Sequence, residues 1–133
     1  MAGYLFKTLN HSAPGAAANT NLFTVPAGHI YVVKTCFVRQ ANGAAAARAY
    51  QLEKSDNAGA NFRLVDAVIN IAANADLSFN HCAASGRVDN TQASDTPAGT
   101  LNNLIFEAGS ILRIVNGANL TTAVEVSGLD YTI

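Results

Sequence analysis

The sequence predicts an all-β fold, an antiparallel β-sandwich or jelly-roll-like single domain. Apolar and β-branched residues come in short runs, and turn signals containing Gly, Pro or Asn separate these runs at fairly regular spacing. No long segment has a convincing helical period. The 133 residues suit one domain, which we divide into residues 1–21, an N-terminal arm or first strand, and residues 22–133, the β-sandwich.

The first 21 residues leave two interpretations open. The apolar tetrad "GYLF" is followed by "NHSAPGAAANTN", in which Pro14-Gly15 is a turn signal. An apolar segment before an irregular stretch is typical of an arm that docks on a neighbouring subunit. It is equally typical of a first strand that pairs within its own sheet. If the segment is an arm, its partner-binding residues are Tyr4, Leu5 and Phe6.

Short strands are predicted along the rest of the chain. Pro26, which cannot donate a ladder hydrogen bond, ends the first of them, and Asn42-Gly43 predicts a hairpin turn. The segment "AAAARAYQLEK" has helical propensity, but we interpret it as a strand because it alternates and follows a hairpin turn. The predicted strands are residues 22–25, 29–40, 44–53, a single bent strand over 62–65 and 67–71, then 77–79, 101–107, 110–115, 122–126 and 129–132.

The strand over residues 29–40 is predicted to be central and covered on both sides. Apart from Lys34, both of its faces are largely apolar, which is typical of a central strand with other parts of the fold packed on both faces. The two faces comprise Ile30, Val32, Cys36 and Val38 on one side and Tyr31, Val33, Thr35 and Phe37 on the other.

Charged side chains are scarce in this chain. They make up 13% of the residues, against about 25% in a typical soluble domain. Because most residues of a small domain touch its exterior, this surface must be neutral, and it suits burial against other subunits. The net charge of −1, without a basic stripe, argues against direct nucleic-acid binding. Since no signal peptide or membrane-spanning run is recognisable, we expect synthesis in a cytoplasm.

No catalytic residues, metal site or cofactor are predicted. His81-Cys82 is the one adjacent pair of soft ligands, and a zinc site needs a second pair. Adjacent strand residues point to opposite faces, so His81 is badly placed to activate Cys82. We expect Cys36 and Cys82 to be free thiols, with a disulfide between them as the alternative. The acidic loops "DNAGAN" and "DNTQASD" lack the spacing of a calcium-binding EF-hand loop.

The segment over residues 80–100 is predicted to be a long polar loop. Loops of more than about 12–15 residues without their own structure are commonly functional or partly disordered. Arg87 and Asp89 lie within it, and we include them with the aromatic N-terminal residues as candidate partner-binding residues.

The segments "TVPAGHIYVVKTCFVRQANG" and "LIFEAGSILRIVNG" resemble a pattern found in small β-sandwich virion structural proteins of tailed bacteriophages. The resemblance covers residues 22–131. It implies a non-enzymatic viral structural protein located in the virion, in the first place a capsid decoration (cement) protein. Such a protein binds the major capsid protein, or another virion protein, as a homo-oligomer, typically a trimer. The alternative is a fibre or tail component that acts as a receptor- or carbohydrate-binding module.

Overall fold

A computed structural model describes residues 3–41, 47–72, 77–83, 97–118 and 121–133. Every regular element in these ranges is a β-strand. The strands are β1 Gly3–Ser12, β2 Asn19–Thr24, β3 His29–Ala41, β4 Arg48–Ser55, β5 Arg63–Leu64, β6 Ile69–Ile71, β7 Leu77–Asn80, β8 Ile105–Phe106, β9 Ile111–Asn116 and β10 Thr121–Thr132.

The strands form two antiparallel sheets that pack face to face. Sheet A has the order β1-β10-β3-β7, with β8 also paired to β3. Sheet B has the order β2-β9-β4-β5, with β6 also paired to β4. The first strand pairs with the last and the second with the last but one, which is the wrapped connectivity of a jelly roll. The predicted antiparallel β-sandwich is confirmed.

The N-terminal segment forms a strand of sheet A. Over Gly3–Ser12 it pairs antiparallel with β10, from Gly3 opposite Thr132 to Ser12 opposite Val124. The register shifts once, between Thr8 and Asn10. Of the two interpretations left open by the sequence, the described residues therefore adopt the paired strand.

In three places the observed strands are split, shortened or merged relative to the prediction. Residues 62–71 form two strands instead of one bent strand, and between them the Asp66 carboxylate accepts a hydrogen bond from the Ala67 amide. The predicted strand over 101–107 shrinks to β8, because a turn with Asn103 at φ 61° precedes it. The two predicted C-terminal strands form the single strand β10. The Asn42-Gly43 turn lies outside the described residues.

Strand β3 is central in sheet A, but only one of its faces is covered by sheet B. Ser127 pairs with Thr35 and Gly128 with Val33, so Lys34 is an extra residue that forms a β-bulge. The bulge changes which residues point inward: Tyr31 and Val33 before it, Cys36, Val38 and Gln40 after it. The prediction that β3 is covered on both sides is therefore wrong. Both faces contain apolar residues partly because the bulge moves the inward-pointing residues from odd to even positions.

The core lies between the two sheets. The Phe23 ring packs edge-on against Phe106 and Tyr31, with centroids 5.0 and 5.3 Å apart. Around them are fully buried aliphatic side chains from both sheets, which sequester the inner faces from water. This leaves the outer face of sheet A available for other roles.

Candidate interaction surface and buried polar cluster

The three candidate residues of β1 are strongly exposed. Tyr4, Leu5 and Phe6 are 62%, 67% and 63% exposed. Since side chains alternate along a strand, Tyr4 and Phe6 point to the outer face of sheet A, and Leu5 points to the opposite face. All three are exposed, so sheet B does not cover this end of β1. The other two candidates, Arg87 and Asp89, lie outside the described residues.

Two rows of apolar side chains cross the outer face of sheet A. One row follows the register from Tyr4 through Tyr131 to Ile30, and the two tyrosine rings are 5.3 Å apart. The neighbouring row runs from Phe6 through Leu129 and Val32 to Ile105. We call these seven residues together with Ile133 the outer apolar face. Ile105 and Ile133 are 54% and 68% exposed, and the four residues in the middle strands are half-buried.

An ionic cluster holds β1 to the sheet on the opposite face. The Asp130 carboxylate lies 2.6 Å from Lys7 Nζ and 2.7 Å from His29 Nδ1. Burial raises the pKa of Asp130, but hydrogen bonds from Lys7 and His29 outweigh it, so the pKa lies below its usual value. The hydrogen bond to Asp130 likewise raises the pKa of Lys7. These contacts fix the strand that presents Tyr4 and Phe6.

A buried polar cluster joins the two sheets. Tyr50 comes from β4 in sheet B, His81 follows β7 in sheet A, and Asp66 lies between β5 and β6. The His81 ring contacts Asp66 Oδ2 through Nδ1 at 2.8 Å and the Tyr50 hydroxyl through Nε2 at 2.7 Å. The side chains of His81 and Asp66 are 0% exposed.

The Asp66 carboxylate is the centre of this cluster. Its Oδ1 accepts hydrogen bonds from the amides of Ala67, at 2.7 Å, and Ala98, at 2.8 Å. Burial raises the pKa of Asp66, but the hydrogen bonds from His81 and the two amides outweigh it and keep the pKa below its usual value. An ionised carboxylate only accepts hydrogen bonds, so His81 Nδ1 donates to Asp66, and His81 Nε2 is paired with the Tyr50 hydroxyl.

This order of hydroxyl, imidazole and carboxylate has the connectivity of a catalytic relay, but its environment is that of a core. Burial raises the pKa of the Tyr50 hydroxyl well above its usual value, and nearby Cys36 and Asp66 add to the rise. The phenol therefore stays protonated, and Tyr50 is only 2% exposed to solvent. What the cluster does is fix the turn after β7 and the chain at Ala98 to both sheets.

The sequence reasoning missed this cluster. It weighed His81 only with its neighbour Cys82, whereas its partners are 15 and 31 residues away. The available signal was the acid in "LVDAVI", because a carboxylate flanked by apolar residues must find hydrogen-bond donors if it is buried.

Cys36 and Cys82 are free and buried. Burial, followed by the charge of Asp66, raises the pKa of Cys82 to about 12, and burial raises the pKa of Cys36 well above its usual value. Both ring nitrogens of His81 are already occupied by Asp66 and Tyr50. Neither thiol is therefore activated as a nucleophile.

Within the described ranges, no group of three or more His, Cys, Asp or Glu side chains is arranged to hold a metal ion. The same ranges contain no helix that is long and apolar enough to span a bilayer. Comparison with protein-family models, with curated proteins and with solved structures gives no match.

Proposed function

We propose that this chain is a non-enzymatic virion structural protein that acts by burying the outer apolar face against other subunits. In its most specific form, the proposal is a phage capsid decoration protein that binds the outside of the head as a homo-oligomer and stabilises it. The observation that carries the proposal is the pair of apolar rows on sheet A. The resemblance of residues 22–131 to small phage virion proteins supports the virion part.

The outer apolar face favours binding to a large partner. Contiguous apolar patches of more than a few hundred Å² are rare on monomers and commonly mark interaction sites. Here four members are more than half exposed, and the strand register connects Phe6 on one edge to Ile105 on the other through the half-buried Leu129 and Val32. The face is four strands wide and carries an open depression lined by Ile105, Tyr131 and Ile133, which apolar side chains of a neighbouring protein can fill.

The buried cluster supports a structural role. The Tyr50 hydroxyl, the His81 imidazole and the thiols of Cys36 and Cys82 lie in the core, and burial raises the pKa of the phenol and of both thiols, so that they stay protonated. A core in which hydrogen bonds join the two sheets stabilises a scaffold that must present a fixed surface.

Imaging and mass spectrometry of purified phage particles from the source of the sequence test the proposal directly. We expect the chain on the outside of the head, in a fixed stoichiometry to the major capsid protein. Particles that lack the chain would refute the virion part. A position at a fibre tip, with glycan binding by the purified chain, would favour the receptor-binding alternative.

A lysine substitution tests the docking face. Ile105→Lys places a charge in the outer apolar face, and we expect binding to undecorated heads to weaken at least about tenfold. Thr24→Lys is the matched control, because Thr24 is exposed on sheet B. Equal binding by the two variants would show that sheet A is not the docking face.

A further inference from the structure

Strand β1 is the longest sheet edge in the part of the chain that the structure describes. It is 10 residues long and pairs only with β10 there. The other edges are β2, with 6 residues, and β5 to β8, with 2 to 4 residues each. A long exposed edge has a row of unpaired backbone groups that can pair with another strand.

The usual protective devices are weak along this edge. From Gly3 to Thr8 there is no proline and no register shift. The one charged residue there, Lys7, is held by Asp130 of the adjacent strand at 2.6 Å. Natural edge strands commonly use charged side chains, inward-pointing charges, prolines or bulges against unwanted pairing; in β1 the inward-pointing Lys7 is paired with Asp130, and the register shift lies beyond Thr8. The first half of β1 therefore presents only weak barriers to pairing with another strand.

We propose that the partner is β1 of a second copy of this chain, paired antiparallel about a two-fold axis at Leu5. In this register Leu5 faces Leu5 of the second copy, and Tyr4 faces Phe6 of the second copy on the outer face. The two sheets A become one continuous sheet. The inference rests on the proposed function and deepens it, because it names the surface through which the homo-oligomer forms.

The two apolar rows select this register. With Tyr4 opposite Phe6 of the second copy, the row that ends at Tyr4 continues into the row that begins at Phe6, and the same happens in reverse. Aromatic cross-strand pairs stabilise antiparallel strands. A two-residue slip places Lys7 opposite Leu5, and a further two-residue slip places Lys7 opposite Lys7, where like charges repel.

The pairing doubles the outer apolar face and gives each copy a weak contact. Three exposed side chains per copy bury less than the about 800 Å² per partner of a stable standard interface. We therefore expect an association that dissociates on dilution and strengthens when both copies dock on one particle, because the second contact is then effectively intramolecular.

Cysteine cross-linking tests the register. In paired antiparallel strands, directly opposite Cβ atoms lie about 4.5–5.5 Å apart and diagonal ones about 7–8 Å apart. A disulfide needs Cβ atoms about 3.5–4.5 Å apart, so only directly opposite cysteines come within reach after a small shift. With diamide as the oxidant, we expect Leu5→Cys to form a disulfide-linked dimer. Tyr4→Cys and Phe6→Cys should each stay monomeric alone and cross-link when mixed. Ile133→Cys, which is 68% exposed outside β1, is the control for random collision.

A Leu5→Cys variant that cross-links no faster than Ile133→Cys would overturn the pairing. Cross-linking of Tyr4→Cys alone at the rate of the mixture would overturn the register.

Sedimentation velocity up to millimolar protein gives an independent readout. Leu5→Lys should weaken self-association at least about tenfold through like charges across the axis, and Ile133→Lys should not.

A trimer, or an oligomer unaffected by Leu5→Lys, would refute the β1 pairing and leave the proposed function standing. Loss of head binding in Ile105→Lys with intact self-association would support both statements. A wild-type chain that is monomeric at every concentration would refute the pairing. The proposed function would then be tested by the head-binding assay alone.

Discussion

Removing the Asp66 carboxylate should be the most damaging single change in the polar core. In Asp66→Ala, three donors lose their acceptor: the buried His81 Nδ1 and the part-buried amides of Ala67 and Ala98. One unsatisfied buried group costs about 1–3 kcal/mol, and removing one partner of a buried pair costs about 3–5 kcal/mol. Because Asp66 borders a surface depression with Leu64, water can enter the space that the carboxylate leaves in the variant. We expect a loss of about 3–5 kcal/mol.

The conservative variant separates charge from hydrogen bonding. In Asp66→Asn, the amide oxygen can still accept from Ala67 and Ala98, and the amide nitrogen can donate to His81 Nδ1 if the ring proton moves to Nε2 and donates to the Tyr50 oxygen. We therefore expect Asp66→Asn to cost about half as much as Asp66→Ala or less.

The pH dependence has a definite sign. The folded pKa of Asp66 lies below its ordinary value near 3.8, so the unfolded chain binds its proton first as the pH falls. The stabilisation by Asp66 is thus fully present above the unfolded pKa and is lost as the pH falls through the folded pKa. Asp66→Asn, which has no proton to gain, should lose less stability on acidification.

Urea unfolding of wild type and variants at neutral pH, repeated in steps to acid pH, measures these effects. Glu125→Ala, an exposed carboxylate on β10, is the control and should change the free energy of unfolding by less than about 0.5 kcal/mol. An Asp66→Ala variant as stable as Glu125→Ala would mean that water already solvates the carboxylate, and the argument for a closed cluster would fail.

Two further substitutions test the hydroxyl of the polar cluster and the bulge in sheet A. Tyr50→Phe removes only the hydroxyl and leaves the histidine Nε2 without its partner, so thermal or urea unfolding should show a loss of about 1–2 kcal/mol. Gly128→Ala would place a Cβ 2.1 Å from the Val32 carbonyl oxygen, so we expect a loss of about 2–4 kcal/mol and weaker head binding from a displaced apolar row. Gly15→Ala, with no atom within 4 Å of the added Cβ, should be neutral, and equal stability of the two alanine variants would contradict the bulge geometry.

The sandwich was predictable from the sequence because strand spacing and turn signals are local properties. Strand β3 was found with nearly its observed length on this basis. Its burial was not predictable, because the bulge at Lys34 depends on pairing with Gly128, which is about ninety positions away along the chain. A bulge shifts the alternation of inward and outward side chains by one position. If the bulge is not known, the sequence therefore indicates apolar residues on both faces of the strand.

The exposed end of β1 was recognisable from composition, and the buried cluster was not. Tyr4, Leu5 and Phe6 form an apolar group beside a polar stretch, which is a local signal. The cluster joins Tyr50, Asp66 and His81 from three separate segments, and each residue alone is unremarkable. Only the sheet topology brings the three segments together, so their hydrogen bonding could not be read from spacing.

The distribution of the few charges leads to a last prediction about salt. Several of the described charges form ion pairs away from the outer apolar face, such as Arg113 with Glu53 at 2.7 Å and Lys54 with Asp56 at 2.6 Å. None of the eight residues of that face is charged, although Glu107 lies at its border. Because screening acts on charges, head binding should change less than about twofold between about 0.05 and 0.5 M sodium chloride. Ammonium sulfate should strengthen binding, because it favours apolar burial. A tenfold loss of binding over the sodium chloride range would show that charged groups, and not the two apolar rows, make the contact.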